Sequence, residues 1–184
     1  MVPMDSARGQ LLIAGPSLLD PNFWRTVVLV IEHTDEGALG LVLNRPSETS
    51  VGEAVPQLES LVDLSDQLFI GGPVQPSSVI VLGEFEDPSD AALLAFDDVG
   101  VLGTGAAPDD VSVGLRSGRA FVGHAGWGPR QLDDEIERGD WILEPARLQD
   151  AFADDPQELW SSVLTRKGGN YALIARMPPD PSVN

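Results

Sequence analysis

Few residues in this chain have side chains able to do chemistry, and their spacing narrows the options quickly. Cysteine is absent, so there is no thiolate nucleophile and no disulfide, and zinc could be held only by histidine and carboxylates. The two histidines, His33 and His124, each fall at the end of an expected strand. With Glu32 or Asp35 beside His33, a two-histidine, one-carboxylate metal site is conceivable. Nothing in the spacing forces the two rings together. The competing reading is a pair of strand-end histidines bonded to backbone or water. A Ser-His-Asp triad is equally unsupported. The one lysine, Lys167, lacks the upstream glycines of a phosphate loop. Gly100-Val-Leu-Gly103-Thr-Gly105 has the spacing of a dinucleotide turn but no strand-to-helix context. No His-Glu-x-x-His or Gly-x-Ser-x-Gly motif occurs. No cofactor is expected.

Three glycine- and proline-marked turns carry more promise: Asn44-Arg45-Pro46, Gly71-Gly72-Pro73-Val74, and His124-Ala-Gly-Trp127-Gly-Pro-Arg130-Gln131. The last sets backbone N–H groups at an expected helix start beside Arg130, an arrangement suited to an anion. Arg45 is the sole basic residue between Arg25 and Arg116, hence a strong local charge. If the turns converge, His33, Asn44, Arg45, Gly71, Gly72, Trp127, Arg130 and Gln131 form a small-ligand site. The alternative is structural. The glycines then allow close backbone packing, Arg45 pairs with a carboxylate, and Trp127, Trp141 and Trp160 anchor the core.

Positioning these turns requires a strand-rich domain. Gln10 to Ala14 reads as a strand ended by Gly15-Pro16, followed by an Asp-Pro-Asn turn at Asp20 to Asn22. Thr26 to His33 is apolar on both faces, the mark of a central strand, and Thr34 to Gly37 turns it into a strand from Ala38 to Asn44. A short helix is expected within Val51 to Leu61, with a break at Pro56, and strands over Gln67 to Ile70, Ser78 to Gly83 and Ala120 to His124. Pro88 to Phe96 is read as helical, and the stretch from 84 to 115 has the weakest pattern.

Gly128 and Pro129 should open a helix whose Leu132 and Ile136 face inward while Asp133, Asp134, Glu135 and Glu137 point outward. Gly139 should end it. Asp140 to Leu143 is read as a strand. Asp155-Pro-Gln-Glu158 resembles a capping box for a helix running to about Arg166, and Asn170 to Arg176 is read as a final strand. Strands outnumber helices without alternating with them, which favours a single α+β domain over 1–184. Residues 1–8 and 178–184 are expected to be flexible or extended tails.

Composition bounds the partners. At 184 residues and 42% apolar content the chain can bury one core. Eleven Lys and Arg against twenty-nine Asp and Glu give a formal charge of −18, and Pro46 to Leu115 holds thirteen acids and no base. Such a surface repels polyanions, so neither nucleic acid nor an anionic membrane is an expected partner. The N-terminus lacks a basic, then apolar, secretory pattern, and apolar runs such as Val27 to Ile31 are far short of a bilayer span, which points to the cytoplasm.

The chain also resembles the bacterial YqgE/AlgH family. The likeness lies in Gly9-Gln-Leu-Leu-Ile-Ala14, Asp20-Pro-Asn-Phe23, Glu32-His33, and Gly37-Ala-Leu-Gly40-Leu-Val-Leu-Asn44-Arg-Pro46. It continues through Gly71-Gly72-Pro73-Val74, Gly123 to Glu135, Gly139-Asp-Trp141, Leu159-Trp160 and Pro181-Ser-Val-Asn184, and is weakest between Glu84 and Leu115. The resemblance implies a single α+β domain with a bent sheet closing towards a pseudo-barrel. It implies no catalytic residues, and His124 stands where the family often has an aromatic or hydrophobic residue. The family's label of transcriptional regulator finds no helix-turn-helix with a basic recognition helix in this sequence. The expected function is therefore a non-enzymatic protein that binds a partner protein or a small anionic ligand, with any regulatory effect indirect. An enzyme or ligand sensor built on the three turns is the alternative. A direct DNA-binding regulator is disfavoured by charge.

Overall fold

The computed structural model describes residues 6–102 and 113–178. Strands β1 (Gln10–Ala14), β2 (Val27–Thr34) and β3 (Gly37–Val42) form an antiparallel meander, as their turn residues require. Later in the chain come β4 (Pro46–Ser50), β5 (Gln67–Ile70), β6 (Val74–Phe85), β7 (Leu93–Phe96), β8 (Val99–Val101), β9 (Leu115–Trp127) and β10 (Trp141–Pro145). The main path of the sheet runs β10-β1-β2-β3-β9-β6-β8-β7, with β4 and β5 off it.

The 13-residue β9 is the element that bends the sheet. Its C-terminal end pairs with β3 through Ala125 to Trp127, while its earlier part pairs with β6 and, in parallel, with β5. The change of partners falls at Gly123, whose φ of +72° only glycine adopts without strain.

Both faces of the meander are covered, which explains the unbroken apolar run in β2. Val27, Leu29 and Ile31 point to one side, where they meet Leu11, Ile13, Leu41, Leu43, Phe69, Leu82 and Phe121. Helix α4 (Leu159–Lys167) closes that core with Trp160, Val163 and Leu164. Val28 and Val30 point to the other side, against Leu12, Val42, Trp127, Trp141 and Leu132 of α2 (Gln131–Glu137). A third cluster lies under α1 (Val51–Ala54) and the 3-10 turn at Pro56–Leu58, where Val51, Leu58 and Val62 meet Leu68, Val81 and Ala120. The remaining helices are α3 (Leu148–Ala151) and α5 (Asn170–Ile174).

The sheet stays open. Its two ends, β10 and β7, share no ladder, so the pseudo-barrel expectation holds only as a bend: β7 folds back towards the meander, and Gly9 packs against the Ala95 carbonyl. Open edges invite pairing with other chains. Here basic side chains cap them. Lys167 Nζ donates to the Leu143 carbonyl at 2.7 Å and Arg166 Nη2 to that of Pro145 at 3.4 Å along β10, and Arg8 Nε donates to the Leu94 carbonyl at 2.6 Å on β7.

The α+β class is as expected, with several local corrections. Asn170 onward is the helix α5 rather than a strand: Gly168 and Gly169, at φ +80° and +58°, end α4 and let the chain turn back. Ile174 then packs against the main core, and Lys167 Nζ sits 5.0 Å from the Tyr171 ring centroid. Pro88 to Phe96 is a 3-10 turn (Pro88–Asp90) followed by β7, because only an extended segment can pair with β8. Asp155 makes no side-chain cap, and a 3-10 turn at Pro156–Glu158 leads into α4. Of the expected N-terminal tail, Ala7 is buried and Ser6 Oγ bonds to the His33 carbonyl. Residues 1–5 and 179–184 of the expected tails lie outside the described residues, as do 103–112 of the weakly patterned stretch.

Candidate functional site

The eight residues singled out by sequence do lie on neighbouring elements, but the side chains of His33, Asn44, Arg45, Trp127 and Gln131 bond within the fold, while Arg130 is exposed. Asn44 continues β3 with its amide. It accepts from Val27 N–H at 2.9 Å and donates to the Arg25 carbonyl at 2.9 Å, in the manner of two ladder bonds. Arg45 neither faces an empty site nor pairs with a carboxylate. Its guanidinium donates to the carbonyls of Asn22, Pro21 and Trp24 at 2.8, 2.8 and 3.2 Å, clamping the Asp-Pro-Asn turn. Partial burial lowers its pKa, opposed by nearby Asp20. Arg45→Ala is expected to cost about 1.5–3 kcal/mol, the range for bonds to a charged donor, with Arg45→Lys recovering little because the planar fork is lost. Denaturant midpoints of the two variants check this; an unchanged midpoint in Arg45→Ala would sink the clamp.

Gly71 and Gly72 form a backbone seam with β9. A Cβ on Gly71 would lie 2.4 Å from the Gly123 carbonyl oxygen, and one on Gly72, at φ +153°, would lie 2.2 Å from the His124 carbonyl carbon. The glycines are there for close approach, as the structural alternative held.

At the α2 end, His33 Nδ1 accepts from Ala7 N–H at 2.8 Å, which leaves Nε2 as the protonated nitrogen of the neutral ring. Nε2 faces Asp133 Oδ1 at 3.2 Å. His33 therefore joins the N-terminal segment to α2. His124 sits on β9, where partial burial lowers its pKa. Among the described residues no group of three metal-ligating side chains is gathered.

The anion seat is filled as well. Gln131 Oε1 accepts from Gly128 N–H at 3.0 Å, Arg130 is exposed at φ +65°, and the first turn carries Asp133 and Asp134. Arg130, rather than Gly128, is the residue that precedes α2, so Pro129 lies outside the helix. The Trp127 indole is not a platform. Its Nε1 and that of Trp141 both donate to Glu135 Oε1, at 3.2 and 3.1 Å, and Phe23 meets both rings. Glu135 and Asp133, expected to point outward, thus bind inward partners that no local pattern could reveal.

Spatial sorting of the basic side chains explains what happened to the charge. Seven of the eleven (Arg8, Arg25, Arg45, Arg116, Arg119, Arg166 and Lys167) donate to backbone carbonyls. Another inward pairing is Arg166, which holds the 2%-exposed Asp150 with two bonds of 2.8 and 2.9 Å. In this acidic chain the scarce cations act mainly as staples.

What the turns do assemble is a feature that sequence reasoning passed over. Arg45 and Asn44 together fix the loop from Pro21 to Arg25, and that loop projects Trp24 and Arg25 beside Trp160. Arg25 has φ +55°, a left-handed backbone unusual for a residue with a side chain. Its guanidinium stacks 4.3 Å from the Trp160 ring centroid and 5.4 Å from that of Trp24. It also donates to the Met177 carbonyl. Burial lowers its pKa. Around it lies a cleft of about 70 Å³, bounded by Pro16, Leu19, Trp24, Trp160, Met177 and Pro178. Leu19, Trp24 and Met177 are 70%, 38% and 45% exposed, so the rim is apolar and open to solvent. No helix among the described residues is long and apolar enough to cross a membrane.

An antiparallel sheet bent at β9, with its glycine seam and the α2 turn, defines the class to which known proteins can be compared. The chain matches the AlgH-like family over residues 11–172, and it belongs to that family. A UPF0301 protein of Thermobifida fusca is 42% identical, with 97% of this chain and 96% of that protein covered. One from Streptomyces coelicolor is 37% identical over 100% and 98% of the two chains. Among solved structures, a Corynebacterium diphtheriae protein superposes with a TM-score of 0.83 at 30% identity, covering 95% of this chain and 94% of that one. The solution structure of AlgH from Pseudomonas aeruginosa gives 0.71 at 29% identity, covering 97% of each.

Proposed function

We propose that this chain is a non-catalytic docking protein that binds a partner protein through the apolar face around the Arg25 cleft, any regulatory effect being indirect. The observation that carries this reading is the contrast between two sets of residues. The side chains of Asn44, Arg45 and Gln131 at the three turns are bonded within the fold, which argues against a reaction centred on them. Large apolar side chains, by contrast, stand exposed together at Leu19, Trp24 and Met177. Exposed apolar clusters on an otherwise charged protein mark interaction surfaces, and tryptophan is enriched at the centres of such surfaces.

The test is a photo-crosslinking amino acid at Leu19, introduced into the full chain in living cells, with the same group at Glu86 as control. A discrete adduct at Leu19 is expected, absent at Glu86 and lost when Met177→Glu is added. No adduct, or equal labelling at both positions, would overturn the reading.

A further inference from the structure

We propose that Arg25 anchors a carboxylate side chain of the partner, whose docking segment carries a Glu or Asp flanked by large apolar residues. This rests on the docking reading above and names the partner's chemistry.

In a chain with twenty-nine acids and eleven bases, a half-buried arginine without an acid needs a cause. Among the described residues no carboxylate lies within ion-pair distance of Arg25, whereas Arg116, Arg138 and Arg166 each hold one. Arg8, Arg130, Arg147 and Arg176 lack one too, but they are exposed, and water solvates them. Burial lowers the pKa of Arg25 with no acid opposing it. At Arg45 the same effect is opposed by Asp20, and at Arg119 by Asp66 and Asp154. The charge of Arg25 is thus partly desolvated and not neutralised from within the fold.

Its hydrogen bonds point the same way. Nη2 donates to the Met177 carbonyl, while Nε and Nη1 have no acceptor among the described residues and are not sealed from solvent. A guanidinium has five N–H groups in one plane, matched to two parallel bonds with a carboxylate. The donor is also fixed in advance. The Trp160 and Trp24 ring centroids lie 4.3 and 5.4 Å from its central carbon, and Asn44 Nδ2 holds the Arg25 carbonyl and with it the left-handed backbone. Strained backbone held in place by its surroundings is a frequent mark of a ligand clamp.

Size decides between a free metabolite and a side chain. The cleft holds about 70 Å³, against roughly 300–1,000 Å³ for sites that enclose a small molecule. It has room for a carboxylate group, and the remaining contact must come from the exposed rim of Leu19, Trp24 and Met177. Apolar residues on either side of the partner's acid would cover that rim and exclude water, which strengthens the ion pair. The chain's −18 charge repels a densely acidic partner at long range, so one acid among apolar residues suits this face better than an acidic run.

The probes are two pools of capped pentapeptides that differ only in the central residue, glutamate or glutamine. Their outer positions are randomised among leucine, phenylalanine, methionine and serine. Each pool is crosslinked to the purified full-length protein carrying the photo-reactive residue at Leu19, and the adduct is quantified by mass spectrometry. The glutamate pool is expected to give at least about tenfold more adduct, the effect of a hydrogen-bonded charge pair. In Arg25→Gln the two pools should label equally, and Arg25→Lys should keep part of the preference. Circular dichroism checks that both variants fold, and the comparison of pools on the parent chain needs neither of them. Equal labelling of the parent by the two pools would overturn the carboxylate anchor, as would an undiminished preference in folded Arg25→Gln. A Leu19 adduct that forms in cells while the two pools label equally would retain the docking surface and remove only the acidic partner.

Discussion

Replacing Trp141 by alanine is expected to lower the unfolding free energy by about 3–5 kcal/mol, the usual cost of deleting a buried aromatic. Trp141 begins β10, pairs with Ala14 and is 3% exposed. Its ring meets Phe23 edge-on at 5.6 Å and Trp127 at 6.3 Å, so the substitution removes the shared wall of an aromatic cluster as well as its own buried area. It also leaves Glu135 with a single indole donor. Small domains have about 5–15 kcal/mol in total, so a large share of the fold's stability is at stake. Urea unfolding followed by circular dichroism measures the loss. Trp141→Phe should recover much of it, since the ring returns while only the Nε1 bond is missing. A midpoint in Trp141→Ala equal to the parent's would mean that the cluster between α2 and the meander contributes nothing.

The second large effect is expected at Gly72. An alanine Cβ there would meet His124 and Ala125 main-chain atoms at 2.2–2.4 Å, and backbone cannot step aside as a flexible side chain can. The φ of +153° adds conformational strain for any residue with a Cβ. Overpacking costs about 1–3 kcal/mol and a strained backbone conformation about 1–3 kcal/mol more, so Gly72→Ala should lose about 2–6 kcal/mol. The damage should be local at first. The seam joins the start of β6 to β9, and Gly71 bridges β3 and β9 through bonds of Val42 N–H to the Gly71 carbonyl and of Gly71 N–H to the Val122 carbonyl. Hydrogen exchange at Val42 and Gly71 should therefore rise more than at Leu12 and Leu29 in β1 and β2. Gly139→Ala is the control: it also has positive φ, at +84°, but nothing lies within 4 Å of its Cβ position. If the two variants lost equal stability, the close approach at Gly72 would carry no weight.

Much of the architecture was written locally. The Val27 to Ile31 run announced a strand covered on both faces, and glycine, proline and asparagine marked where the meander turns. The wide acidic excess was equally plain from composition. Local pattern misled where tertiary pairing decides. Leu93 to Phe96 is extended because β8 lies beside it, and Asn170 to Ile174 is helical because it returns onto α4. Neither partner is visible within a short window of sequence.

The candidate site divides the same way. Residue type and spacing brought Asn44, Arg45, Gly71, Gly72 and the turn after His124 to notice, and those residues do sit where the sheet bends and its loops are fixed. Their roles could not be read from the chain. An arginine alone in an acidic stretch looks the same on paper whether it awaits an anion or clamps three carbonyls. Only the fold brings Pro21, Asn22 and Trp24 beneath Arg45, Asp133 beside His33, and Glu135 between two indoles. The Arg25 cleft needed still more. It joins residues near positions 16–25 to 160 and 177, across more than 130 positions of sequence, and no local periodicity relates them. Hydrophobic pattern and turn chemistry act over a few residues and are legible in sequence, whereas the satisfaction of buried polar groups and the shape of an exposed cleft depend on which distant segments the packed core brings together.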